Sequence, residues 1–216
     1  MLSFWQSSVG KKAAMGLTGL IVVGFVLVHM AGNLQFFVGP SKFNEYSHLL
    51  RHTLIELTWI VRLVLLAAIA VHITAAWQLT QRAKAARPVG YERRDAQVST
   101  YASRAMRWGG VYLLVFIVYH ILHFTTGTLH PAYDEAQAYG NVVIGFSSLW
   151  VSLFYLGAMA LLSLHLYHGT WACLRSLGLA KPSSNPLERR IALIVAIVVP
   201  AGFSLLPLSV LLGIVR

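Results

Sequence analysis

Five long apolar runs dominate this chain: roughly Ala13–Val38, Leu57–Thr80, Ala105–Leu129, Ser147–Leu174 and Ile191–Ile214. A helix needs about 20 apolar residues to cross a bilayer, and each run has that length. None shows the ten-residue alternation of a membrane β-barrel. The expected fold is therefore all-α, a single integral-membrane domain over residues 1–216 with five transmembrane helices. Run one is too long for a signal-peptide core and lacks a small-x-small cleavage site, so it is expected to remain as helix one. The longest polar stretch, Gln81 to Arg104, leaves no room for a soluble domain.

Composition agrees. Only 11% of the residues are charged, against about a quarter in soluble domains. The same figure excludes disorder, and Cys173, the one cysteine, excludes a disulfide scaffold. The net charge of +10 suits a nucleic-acid binder only if a soluble basic domain carries it, and there is none. Charge placement has a different meaning. With the N-terminus inside, Lys11, Lys12, Arg82, Lys84, Arg87, Arg93, Arg94, Arg104, Arg107, Arg175, Lys181, Arg189 and Arg190 all fall on the inner side. Only Lys42, Arg51 and Arg216 fall outside, with Arg62 within helix two. This positive-inside bias predicts a cytoplasmic N-terminus and an outer C-terminus. It also suits attraction to anionic inner-leaflet lipid, or the docking of a partner protein.

Nine histidines are many for so apolar a chain, and six of them, His29, His72, His120, His123, His165 and His168, lie within the expected spans. A polar side chain at membrane depth is costly and usually marks a site. At about 1.5 Å per residue, His29 and His120 lie about 24 and 22 Å above the inner ends of helices one and three. His72 and His165 lie only about 12–14 Å above the inner ends of helices two and four. Two levels result, each with one histidine from each of two helices. Such pairs are suited to bind one iron from opposite sides, as in two bis-histidine hemes stacked across the membrane. Zinc prefers a tight tetrahedral site, which separated pairs do not supply. Gly32, Ala68, Ala76 and Gly169 lie about a turn from these histidines and Gly109 shares a face with His120, leaving room for a flat macrocycle or for close helix packing. His120 and His123 share a face, as do His165 and His168; spacing does not say which of each two ligates.

The motifs Val28-His29-Met30-Ala31-Gly32-Asn33-Leu34-Gln35, Ala70-Val71-His72, Val118-Tyr119-His120-Ile121-Leu122-His123 and Leu164-His165-Leu166-Tyr167-His168-Gly169-Thr170-Trp171 follow one another, one per helix. In this the chain resembles the five-helix diheme cytochrome b membrane subunit of succinate:quinone oxidoreductases, which include succinate dehydrogenases and quinol:fumarate reductases. The resemblance spans essentially the whole chain. It implies His29 and His120 as ligands of an outer heme b iron, and His72 and His165 as ligands of an inner one. The family often has Asn at the position of His168. A flavoprotein with FAD and an iron–sulfur protein with its clusters are implied as partners on the cytoplasmic face. Succinate is handled there, a quinone (menaquinone or ubiquinone) in the bilayer, and the setting is a prokaryotic inner membrane.

Less direct are four further candidates. Arg62 either snorkels to the surface or meets a propionate of the outer heme. Glu45, with Glu56, is a candidate for proton exchange with an outer quinone, and Glu45 matches the approximate position of such an acid in the family. His123 is a candidate for a hydrogen bond or a propionate contact. His48, His52 and His130 read as loop residues, Pro200 and Pro207 as kinks in helix five, and Cys173 as a small buried residue. Competing readings are a diheme anchor of a nitrate reductase or hydrogenase, whose helices commonly carry two ligands on one helix, and a heme-free structural anchor. A transporter would need more than one charge within its spans.

Overall fold

The computed structural model describes residues 2–86, 101–179 and 186–215. Arg87, Arg93, Arg94, Lys181 and Arg216, used above for orientation, lie outside the described residues. Among the described residues the secondary structure is all helical: α1 (Leu2–Gln6), α2 (Ser8–Asn33), α3 (Pro40–His48), α4 (Ile55–Ala85), α5 (Tyr101–His120), α6 (Ala138–Phe146), α7 (Leu149–Ser176) and α8 (Pro186–Leu211). Five are long and apolar enough to cross a membrane: α2, α4, α5, α7 and α8. Leu63, Leu66, Val71, Val115, Val118 and Ile197 are exposed on them, as lipid-facing surfaces should be. Trp59, Trp77, Trp108 and Trp150 project outward near helix ends, the placement of an interfacial aromatic belt.

The helices run past the apolar windows because a helix does not end where the bilayer core ends. At the start, the Ser7 side chain caps α2 by accepting from the Gly10 N–H at 2.8 Å. Lys11 then lies within the first turn, donates to Gln78 Oε1 of α4 and stacks over Trp5 at 4.7 Å. Run three stops short of its expected Leu129 end: a π-helical turn, Ile121–Thr125, closes α5. The polar connections after α2 and α5 hold two short helices that hydropathy did not announce. Gly39, at φ 124°, turns the chain into α3 with Pro40 at its first position. Asn44 of α3 accepts from the Tyr139 N–H at 2.9 Å and donates to Gln137 at 3.2 Å, so α3 and α6 together cap one end of the bundle.

The order of packing positions the site. Helix α4 packs on α2, α2 on α7, and α7 on both α5 and α8. The α7–α8 seam is built from small or fully buried residues, Ala158, Ala192, Ala196 and Val199, which lets the backbones approach closely. Pro200 has no N–H for the Ala196 carbonyl four residues back. That freed carbonyl accepts instead from Ser163 Oγ of α7 at 2.7 Å, so the proline ties α8 to α7. Cys173 is buried, as expected, and its thiol donates to the Gly16 carbonyl at 3.2 Å across the α2–α7 contact.

Candidate functional site

The structure brings His29 of α2 beside His120 of α5, ring centroids 5.8 Å apart, and His72 of α4 beside His165 of α7, centroids 6.3 Å apart. Neither α2 with α5 nor α4 with α7 packs extensively. Each couple therefore reaches across a gap between two helices instead of filling a helix–helix contact. A methyl group at Gly169 of α7, four residues after His165, would meet nothing within 4 Å, so space remains beside the His72–His165 couple. Gly32 differs from expectation, because the Tyr46 hydroxyl already occupies the place its side chain would take. Gly109 serves packing, its open side facing Leu161.

The second nitrogen of each imidazole tells how the ring is held. His72 Nδ1 donates to the Met15 carbonyl at 3.0 Å, which leaves its Nε2 as the nitrogen available to a ligand. Gly19 lets this ring approach α2, since a side chain there would lie 3.4 Å from His72 Cε1. Asn33 Nδ2 donates to the His29 carbonyl at 2.7 Å and lies 3.3 Å from its Nδ1; Phe25 stacks on the ring at 5.3 Å and Phe203 flanks it. Tyr155 Oη stands 3.5 Å from His120 Nδ1. His165 Nδ1 is buried with no hydrogen-bond partner among the described residues. Ligating histidines commonly bond their second nitrogen to a carbonyl, carboxylate or water; His72 has such a partner in the Met15 carbonyl, and His120 has the Tyr155 phenol beside its Nδ1.

These residues fit a heme. With an axial nitrogen on each side of an iron at about 2 Å, two imidazole centroids stand about 6 Å apart. Among the described residues no three His, Cys, Asp or Glu side chains converge on one point. They come in twos, which suits a planar group that supplies its other four donors itself.

The remaining candidates scatter. His123 is 1% exposed, with Nδ1 3.1 Å from Tyr155 Oη and Nε2 without a partner among the described residues. His168 lies edge-on to Trp171 at 6.4 Å, and Arg175 and Arg189 sit 5.0 and 5.4 Å from that indole. Arg62 stacks on Trp59 at 5.0 Å and forms no ion pair among the described residues. His130 is not an idle loop residue: buried, its Nε2 donates to the Asn141 carbonyl at 2.9 Å and its Nδ1 accepts from the Ala132 N–H. Asn141 in turn holds both backbone groups of Asp134. Tyr155, Tyr46 and Asn141 carried no signal in the sequence. Their marker, a polar group buried at the end of a bundle, exists only once the helices are placed.

Glu45 lies on α3, exposed, beside a hollow of about 860 Å³ that it lines with His48, His52 and Glu135. Lys42 at 2.9 Å and Ser41 at 3.1 Å donate to its carboxylate and hold its pKa below the ordinary carboxylate value. A depressed folded pKa stabilises the fold above the unfolded value, and that contribution is lost as pH falls through the depressed one. Lys42→Met is accordingly expected to move the Glu45 carboxylate titration upward, read by infrared difference spectroscopy with labelled glutamate. Burial pushes the Tyr46 hydroxyl the other way, up.

One family model, that of the succinate dehydrogenase/fumarate reductase transmembrane subunit, matches residues 85–204. That stretch includes His120, His123, His165 and His168 and stops short of His29 and His72. Neither the curated proteins nor the solved structures yield a match.

Proposed function

Because the chain belongs to the succinate dehydrogenase/fumarate reductase transmembrane-subunit family, we propose that it is the cytochrome b membrane anchor of such a complex, holding two b-type hemes. His29 and His120 would bind the outer one, His72 and His165 the inner. The observation that carries this reading is the pair of imidazole couples, 5.8 and 6.3 Å between centroids, each spanning a gap between unpacked helices. When bound, the hemes supply one-electron transfer between an iron–sulfur partner and membrane quinone. The chain's own work is to orient four imidazoles, exclude water and set the dielectric around them.

The basic end of the bundle, with Lys11, Lys12, Arg82, Arg104, Arg107, Arg175 and Arg189, suits the cytoplasmic face of a prokaryotic inner membrane. There it would receive the iron–sulfur subunit and, through it, the FAD-bearing flavoprotein that handles succinate. At the other end, the hollow beside Glu45 is a place for quinone proton exchange, and Arg62 is the cation available to an outer propionate. A reduced-minus-oxidised spectrum of the purified protein tests the reading. A b-type signal at about two hemes per chain is expected; its absence overturns the proposal.

A further inference from the structure

His120 and His123 lie about one turn apart at the end of α5, and one phenol stands between them. Tyr155 of α7 is 6% exposed, with its hydroxyl 3.1 Å from His123 Nδ1 and 3.5 Å from His120 Nδ1. A phenol donates one proton and accepts others, and a neutral imidazole carries its proton on one nitrogen only. If His120 offers Nε2 as an axial ligand, its proton sits on Nδ1. That N–H donates to Tyr155 Oη. The phenol O–H then donates to His123 Nδ1, and neutral His123 carries its own proton on Nε2. Ligation at one end thus decides all three donors in the chain His120, Tyr155, His123.

We propose that Tyr155 is the positioning residue of the outer couple: it accepts the His120 N–H, turns the opposite nitrogen toward His29, and is itself locked by His123. The inference rests on the ligand reading above. It deepens that reading by naming what tunes one heme and not the other. The inner couple is held differently, since His72 donates to a backbone carbonyl that no substitution removes, and His165 Nδ1 has no partner among the described residues. Helix α6 supports the chain from behind. A side chain at Gly145 would stand 2.9 Å from His123 Cε1 and 3.1 Å from its Nε2, so the glycine lets the imidazole pack directly against α6. An accepted N–H makes the ligand more basic, which favours ferric iron and lowers the midpoint potential.

The test is Tyr155→Phe in the assembled membrane complex, with heme content and both midpoints read by spectroelectrochemical titration. Two hemes are expected to remain. The midpoint of one should rise, the same heme whose signal disappears in His29→Ala, while the other stays put. Two retained hemes with unchanged midpoints overturn the proposal, as do equal shifts of both. Where Tyr155→Phe loses the outer heme, His123→Gln decides, because it keeps the phenol and alters only its acceptor. A selective rise there supports the positioning role, and no shift overturns it. Failure of the underlying reading looks different: the unsubstituted protein itself would show no b-type heme.

Discussion

Replacing His165 by Ala in the assembled complex is expected to remove about one of two b-type hemes per chain and to leave the other spectrally intact. His165 faces His72 at 6.3 Å across the α4–α7 gap, and without it His72 is a lone axial donor held to the Met15 carbonyl. A heme with one protein ligand in a widened cavity dissociates during purification. The outer couple lies on α2 and α5, which share no ligand with the inner one, so its heme should survive. Heme per protein by the pyridine hemochrome assay, with a reduced-minus-oxidised spectrum, reads the result. His168→Ala is the matched control. This ring rests against Trp171 and should leave both hemes in place. Loss of heme in His168→Ala with retention in His165→Ala would move the ligand by one turn and contradict the couples described here.

Gly127→Val is expected to be the most damaging single change to the polar end of the bundle, by about 3 kcal/mol. Gly127 sits at φ 74°, a conformation that costs a side chain of L chirality about 1–2 kcal/mol, and a β-branched one the most. Any Cβ would also run into the Tyr133 ring. Moving that ring breaks the hydrogen bond from Tyr133 Oη to the Thr125 carbonyl, 3.1 Å, and the stacking of Arg51 on it, together about 1 kcal/mol. The thermal midpoint of the detergent-solubilised protein measures the loss. Gly140→Ala is the contrast: Gly140 lies in α6 and a methyl there meets only Gln137 at 3.7 Å. A helical Gly→Ala change should be neutral or stabilising by up to about 1 kcal/mol. Equal losses in both variants would mean that neither the left-handed turn nor Tyr133 matters to stability.

Hydropathy located all five spanning helices, because a bilayer-crossing helix must be apolar along its whole embedded length and that length is written in the chain. Ends were less legible. Ser7, Gly39 and the π-helical close of α5 are set by hydrogen bonding, and an apolar window does not register that. The small residues also divided. Gly169 opens beside His165, whereas Gly32 is taken by Tyr46 and Gly109 by packing against α7; position in the sequence left macrocycle room and helix packing open for all three.

Depth along a helix depends only on a constant rise per residue, so the two levels of histidine could be read from position alone. Which way a ring faces, and what holds its other nitrogen, depends on helices far apart in sequence. Met15 meets His72, Tyr155 meets both His120 and His123, and Ser163 meets the carbonyl freed by Pro200. By itself the sequence determined a five-span membrane protein with imidazoles at two heights, since burial in lipid and helical rise act locally. Only the tertiary structure decided which helices stand apart to leave a gap at each couple and which polar groups reach across it. Those are properties of side chains brought together by packing, and no window of sequence contains them.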